Sequence, residues 1–329
     1  EEEEATRLAA RMAERWYARF SQVLRHTFAR RQPLVLYASH PHFAQTNVTP
    51  AAPGEGTGGL TERAKSRIAM PFAAGLGATD HVLGHEIAHA FQIDIVRRAG
   101  QDAFTMPGWF IEGMAEYLSL GSEDSHTAMW LRDAAAHDRL PTIEQLNEPR
   151  YFPYRYGHGF WSFLAGRYGD GILARVLRSK ARGVLPRLEE ATGATRDAFT
   201  SDWHESIRAD VRPRPAVPVR RIPGLARGGA RLHVAPALSP GGTQVVFISE
   251  RDRLSLDLFL ADAGTGAGVR KLVSTAADPH FDSLQYIHSS GAWDGSGAHL
   301  AMAAVSAGRP VLLIVDVARP SERTEVAFD

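Results

Sequence analysis

The stretch His85-Glu86-Ile87-Ala88-His89 constrains this chain more than any other. Two histidines four apart on a helix lie about 40° apart around its axis and one turn up, so both imidazoles leave the same face. That face can hold one divalent metal ion. Glu86, beside the first His, projects near enough to reach a water molecule at the ion without being a ligand itself. The flanks read as a helix. Thr79 or Asp80 is expected to cap its start, Arg97 and Arg98 occupy a last turn, and Gly100 follows. Leu83, Ile87, Ala90 and Phe91 supply the stripe that holds it against a core. The competing reading is a buried helix whose histidines only hydrogen-bond to neighbours; the intact pattern in this setting favours zinc.

Catalytic zinc takes three protein ligands and keeps a position open. The metzincin extension is excluded, because its Gly and His positions hold Gln92 and Ile95. Downstream, Pro107-Gly108-Trp109-Phe110-Ile111-Glu112-Gly113-Met114-Ala115-Glu116-Tyr117-Leu118 reads as a second helix with Pro near its start. Enough chain separates His89 from Glu112 for one helix to end and another to return antiparallel. Glu116, one turn further along the same face, suits an outer role, accepting the second N–H of a ligating His and fixing its tautomer.

His85-Glu86-x-x-His89 followed by Trp109-x-x-Glu112-Gly113-x-Ala115-Glu116-Tyr117 resembles the gluzincin metallopeptidases, the group that contains thermolysin and the zinc aminopeptidases. The resemblance implies one Zn2+ held by His85, His89 and Glu112, with Glu86 as general base and Glu116 supporting a ligating His. The spacing between the two motifs is slightly longer than in the best-known members. The strand expected over Lys65–Phe72 corresponds to the edge strand that pairs with an extended substrate in that group. It lacks the Gly-x-Met-Glu-Asn motif of the aminopeptidases, so an endopeptidase is the expectation.

Peptidases of this kind also place a Tyr or His donor against the developing oxyanion. Tyr156 and His158 are the candidates, with Tyr154 behind them; the bland reading is that these aromatics pack the start of a helix over Phe160–Tyr168. His81, one turn before His85, is geometrically poor as a ligand and reads as a capping or supporting residue. His40 and His42, two apart beside Pro41, read as surface residues of a loop over 38–60 that also holds Pro50, Pro53 and Gly54.

Composition sets the outer bounds. The 329 residues can bury one or two sizeable cores. Lys plus Arg and Asp plus Glu number 37 each, so no global field points to nucleic acid. The absence of cysteine excludes a disulfide framework and a thiolate metal site. No apolar run is long enough to span a membrane. The chain opens on four glutamates without Met or a signal sequence, so location stays open between the cytoplasm and export with the signal removed or omitted.

Along the chain, apolar residues at three- and four-residue spacing predict a helix over residues 6–30, and Leu34–Tyr37 reads as a short strand. Residues 122–148 read as helix and loop, with Trp130, Leu131 and Ala134–Ala136 helical and Pro141 opening a new segment, and further helices are expected at about 171–181 and 195–208, the last anchored by Phe199 and Trp203. Residues 210–228, with Arg212-Pro213-Arg214-Pro215, Pro218, Pro223 and Gly228-Gly229, form a connector. Beyond it, Gln244–Ile248, Leu256–Ala261, Val269–Val273, Ala292–Met302 and Val311–Asp316 read as strands. Ser239-Pro240-Gly241-Gly242 and Asp294-Gly295-Ser296-Gly297 mark a repeat. The segment Ala237–Asp252 resembles the TolB-like β-propeller repeat, although Gly241 stands where that repeat has Asp. This resemblance favours an exported protein.

The expectation is therefore α+β: a mainly helical gluzincin-like zinc peptidase domain with a small sheet over 1–209, a linker over 210–228, and an all-β segment of about two blades over 229–329. A closed propeller needs about four blades or more, so the chain reads as a piece of a longer protein; a small two-sheet sandwich is the alternative. Expected partners are a peptide or protein substrate and a protein docked on the β segment. The competing function is a catalytically silent binding module.

Overall fold

The structure, a computed structural model, describes residues 2–45, 57–72, 75–101, 105–211, 221–222, 224–225, 232–252, 255–274, 281–284, 290–307 and 309–327. The chain divides into two compact units, Glu1–Pro215 and Ala216–Asp329. Among the described residues the first unit is mainly helical with one small sheet, and the second is all β, giving a mixed α+β chain. The boundary lies within the Pro/Arg/Gly connector, of which residues 212–220, 223 and 226–228 fall outside the described residues.

The helical unit opens with α1 (Glu2–Val23), shorter than the 6–30 reading because the chain turns at Arg25, whose φ is 48°. Phe28, beyond the turn, still reaches the core and packs 4.3 Å, centroid to centroid, from Phe91. Then come β1 (Leu34–Tyr37), the short helix α2 (His40–Ala44), β2 (Leu60–Glu62) and β3 (Arg67–Pro71). The sheet order is β1-β3-β2, with β1 parallel and β2 antiparallel to β3. The strand read at Lys65–Phe72 is thus the central one, paired on both sides, and among the described residues β1 and β2 are the edges. His40 and His42 lie on α2; Pro50, Pro53 and Gly54 lie outside the described residues.

The core helix α3 (Leu76–Arg98) is capped four to five residues before the expected positions, at Gly75, with no side-chain cap. Thr79 is buried inside it, and Asp80 instead pairs with Arg15 and accepts from the Trp16 indole at 2.9 Å. Gly84 lets Trp16 lie against α3, for a Cβ there would stand 2.7 Å from the indole. Phe91 is fully buried among Tyr17, Phe20 and Phe28, a cluster worth about 1.5–3 kcal/mol per ring.

Helix α4 (Gly108–Leu120) follows Pro107, and α5 (Ser125–Ala136) is capped by Asp124, which accepts from the Thr127 N–H at 2.7 Å. Helix α6 runs over Pro153–Tyr168, seven residues ahead of the expected start, with Pro in its first turn. The crossing of α4 and α6 is backbone to backbone: a Cβ on Gly113 would fall 2.3 Å from the Gly157 carbonyl carbon, and one on Gly157 2.1 Å from the Trp109 oxygen. No side chain other than hydrogen fits at either position. Helices α7 (Gly171–Arg178), α8 (Val184–Thr192) and α9 (Arg196–Asp210) close the unit, with Phe199 and Trp203 buried as read.

In the second unit β4 (His233–Leu238), β5 (Gln244–Ser249), β6 (Asp257–Asp262) and β7 (Arg270–Val273) form an antiparallel meander. A second sheet holds β8 (Phe281–Leu284), β9 (Ala292–Trp293), β10 (His299–Ser306), β11 (Arg309–Asp316) and β12 (Arg323–Ala327). Both β8 and β9 pair with β10, so they act as one interrupted strand and the sheet repeats the order of the first. Val246, Ile248, Leu258 and Leu260 share one apolar core with Leu300, Met302, Leu313 and Val315.

Candidate metal centre

Helix α3 presents His81, His85 and His89 one turn apart, and α4 presents Glu112 and Glu116 to the same space. His85 Nε2 and His89 Nε2 lie 3.0 Å apart, and Glu112 Oε2 lies 3.1 and 3.2 Å from them. This triangle is one of two His/Glu groups able to hold a metal among the described residues. Tetrahedral zinc with ligand distances of about 2.0–2.1 Å separates its donors by about 3.3 Å, close to what the triangle shows.

The outer nitrogens decide what the triangle can accept. His85 Nδ1 faces Glu116 Oε1 at 3.0 Å, and His89 Nδ1 faces the Gln92 amide oxygen at 2.8 Å. Gln92, fully buried, is oriented by donating its own N–H to the Ile111 carbonyl at 2.9 Å. With each Nδ1 facing an acceptor, a neutral ring donates from Nδ1 and turns the lone pair of its Nε2 toward Glu112. Burial disfavours charge on His85, yet its hydrogen bonds to Glu112 and Glu116 outweigh that and raise its pKa from 6.5 to about 10. The cluster thus attracts positive charge. A proton on His85 Nε2 could serve only one contact and would leave His89 Nε2 opposed to Glu112; a divalent ion serves all three. The residues fit a metal.

Glu116 is itself closed off. It meets His81 Nε2 at 3.2 Å and Arg155 at 3.0 Å, and Arg155 also reaches Asp124 at 3.3 Å. Burial pushes the Glu112 and Glu116 carboxyls up, but their histidine partners hold both well below the usual carboxylate range. The second group, His81, His85 and Glu116, shares His85 with the first and has Arg155 on its carboxylate, which opposes another cation there.

Glu86 is buried and stands apart from the triangle. Its Oε2 accepts from the Thr61 hydroxyl at 2.6 Å, and with Gly59, Leu60, Thr61, Tyr154, Ile93 and Ile111 it lines a cavity of about 360 Å³ that reaches the two histidines and Glu112.

Two expected site residues lie elsewhere. Tyr156 is buried against Trp130 and Tyr151, and His158 is fully buried with both ring nitrogens engaged, at 2.8 Å from the Thr127 hydroxyl and 2.8 Å from the Gly121 carbonyl. Neither can donate to a ligand in the cavity. Because α6 begins at Pro153, Tyr154 and Tyr156 lie about 200° apart on one helix and face opposite sides. Tyr154 takes the site side: it stacks on His85 with centroids 5.7 Å apart and lines the cavity beside Glu112. Burial, then the Glu112 charge, raises its pKa, so the phenol stays a donor.

Gln92, Thr61 and Arg155 were not singled out from the sequence as site residues. Gln92 carried a legible signal, since it lies one turn past His89 on the same helix; Thr61 and Arg155 are brought in by tertiary packing. No family model matches the chain, and no curated protein matches it.

Proposed function

We propose that the chain is a zinc-dependent peptidase of gluzincin type. The reading rests on one observation: His85, His89 and Glu112 converge within 3.0–3.2 Å, beside a carboxylate, Glu86, that takes no part in the triangle. Zinc held by these three residues supplies Lewis acidity, acidifying water and polarising a carbonyl. Glu86 accepts the proton of the attacking water and returns it to the departing nitrogen. Tyr154, in place of Tyr156 and His158, donates to the oxygen on which negative charge develops. Edge strand β2, rather than the doubly paired β3, offers its backbone to an extended peptide. No helix among the described residues is long and apolar enough to cross a membrane. The two like-ordered sheets of the second unit read as two propeller-type blades and as a surface for a protein partner; an exported location goes with that resemblance.

Glu86→Gln, with zinc content checked by elemental analysis, tests the reading. Cleavage of denatured casein should fall at least about 1,000-fold while one zinc per chain remains. Undiminished cleavage would remove Glu86 as the base. A wild-type chain that carries zinc and cleaves nothing is the silent binding module.

A further inference from the structure

Beyond assigning the base, we propose that Thr61 is its positioning residue, and that the segment Gly59–Thr61 couples peptide docking to the alignment of Glu86. The inference rests on the peptidase reading. Thr61 sits in the middle of β2, paired with Ile68 of β3. Its hydroxyl lies 2.6 Å from Glu86 Oε2 and 2.9 Å from the Glu86 carbonyl oxygen. It has one proton to give, and the carboxylate is both the closer and the charged acceptor.

The second hold is steric. A Cβ at position 59 would stand 2.8 Å from Glu86 Cγ and 3.0 Å from Oε1, so the bare backbone of Gly59 lies directly against the carboxylate arm. Glu86 is thus gripped from outside its own helix, by hydrogen bonding at one residue and by packing at another. A glutamate left free would lose up to about 2 kcal/mol of rotamer entropy on reaching one geometry; the clamp spends that cost during folding.

Gly59, Leu60 and Thr61 all line the cavity; Leu60 and Thr61 belong to the edge strand β2, and Gly59 immediately precedes it. A peptide that pairs with β2 therefore bears on the same residues that hold the base. Binding energy from parts of the substrate remote from the scissile bond then appears in kcat, and not in KM alone.

Thr61→Val keeps the shape and removes the hydroxyl; Thr61→Ser keeps the hydroxyl. With a short and an extended peptide as substrates, Thr61→Val should lower kcat on the order of 10–100-fold with KM little changed and zinc retained. Thr61→Ser should restore most of the loss. The kcat advantage of the extended peptide should shrink in Thr61→Val. Gly59→Ala should lower kcat independently, which covers the case in which Thr61→Val does not fold. An unchanged kcat in Thr61→Val or Gly59→Ala, or a loss that Thr61→Ser does not repair, would overturn the proposal. Failure of the peptidase reading shows up separately, as a wild-type chain that hydrolyses neither peptide. The clamp is then read from crystal structures of wild type and Thr61→Val: a Glu86 carboxylate that moves supports it, and one that stays put overturns it.

Discussion

Both units gather charges around a buried carboxylate, and the two clusters are finished differently. In the β unit, Lys271 stands between Asp252 and the fully buried Asp257, 2.7 Å from the latter, while Ser255 donates to Asp257 at 2.9 Å. An ammonium reaches both carboxylates, and the cluster is complete within the protein. In the helical unit, Glu116 is closed in the same way by Arg155, His81 and His85. Glu112, one turn away, faces the Nε2 atoms of two rings, which carry no hydrogen there while the rings are neutral. A polar cluster can take a cation where its donors run out before its lone pairs do. The triangle of His85, His89 and Glu112 meets that condition, and the lysine cluster does not.

The two tyrosines of α6 give the sharpest test, because they differ in whether they face the unfinished cluster. Tyr154→Phe should lower kcat about 100–1,000-fold, the size of effect seen when one oxyanion donor is lost. Tyr156→Phe, packed between Trp130 and Tyr151, should leave kcat within about threefold of wild type. Steady-state kinetics on one peptide decides it. The reverse ranking would put the catalytic donor on the other face of the helix.

That pair also shows where sequence reading stops. The spacing of His85 and His89, and of Glu112 and Glu116, follows helical periodicity, so the residues that gather in the cluster were legible one by one. The facing of Tyr154 depends on where α6 begins, and its start at Pro153 places two aromatics two positions apart on opposite sides. The crossing that sets Tyr154 beside Glu112 rests on Gly113 and Gly157, whose contact is long-range and leaves no pattern in either segment. The same applies to β2, three residues with no period to read, and to its place at the sheet edge, which only strand pairing establishes. The apolar strands of the second unit were legible from composition. The interruption of β8 and β9, and the exposed β12, carry too few apolar residues to announce themselves.

Cutting the finished cluster should cost stability and nothing else. Lys271→Met leaves Asp257 buried without its ammonium. Breaking a fully buried pair costs about 3–5 kcal/mol. Because the Lys271 side chain is 33% exposed, about 2–3 kcal/mol is the expected loss in the unfolding free energy of the β unit. The bonds to Asp252 and Asp257 raise the lysine pKa above 10.5, so this contribution is full below that pH and fades as pH climbs through the raised value. Zinc content and hydrolysis should not change. Denaturant unfolding beside a zinc assay measures both, and a drop in hydrolysis would mean that the β cluster is no mere structural tie.

The mildest expected effect comes from loosening the unfinished cluster without touching a ligand. Gln92→Leu removes the acceptor of His89 Nδ1–H and the donor to the Ile111 carbonyl, leaving both unpaired in a site where Gln92 is fully buried. The His89 ring is then free to carry its proton on Nε2, the atom that should bear the lone pair. Zinc affinity, measured by competition with a chelating dye, should weaken about 10–100-fold. Gln92→Glu restores an acceptor for Nδ1–H but cannot donate to Ile111, so it should fall between wild type and Gln92→Leu. If all three chains bind zinc alike, the His89 tautomer is set by Glu112 alone, and counting donors against lone pairs is the wrong way to tell the two clusters apart.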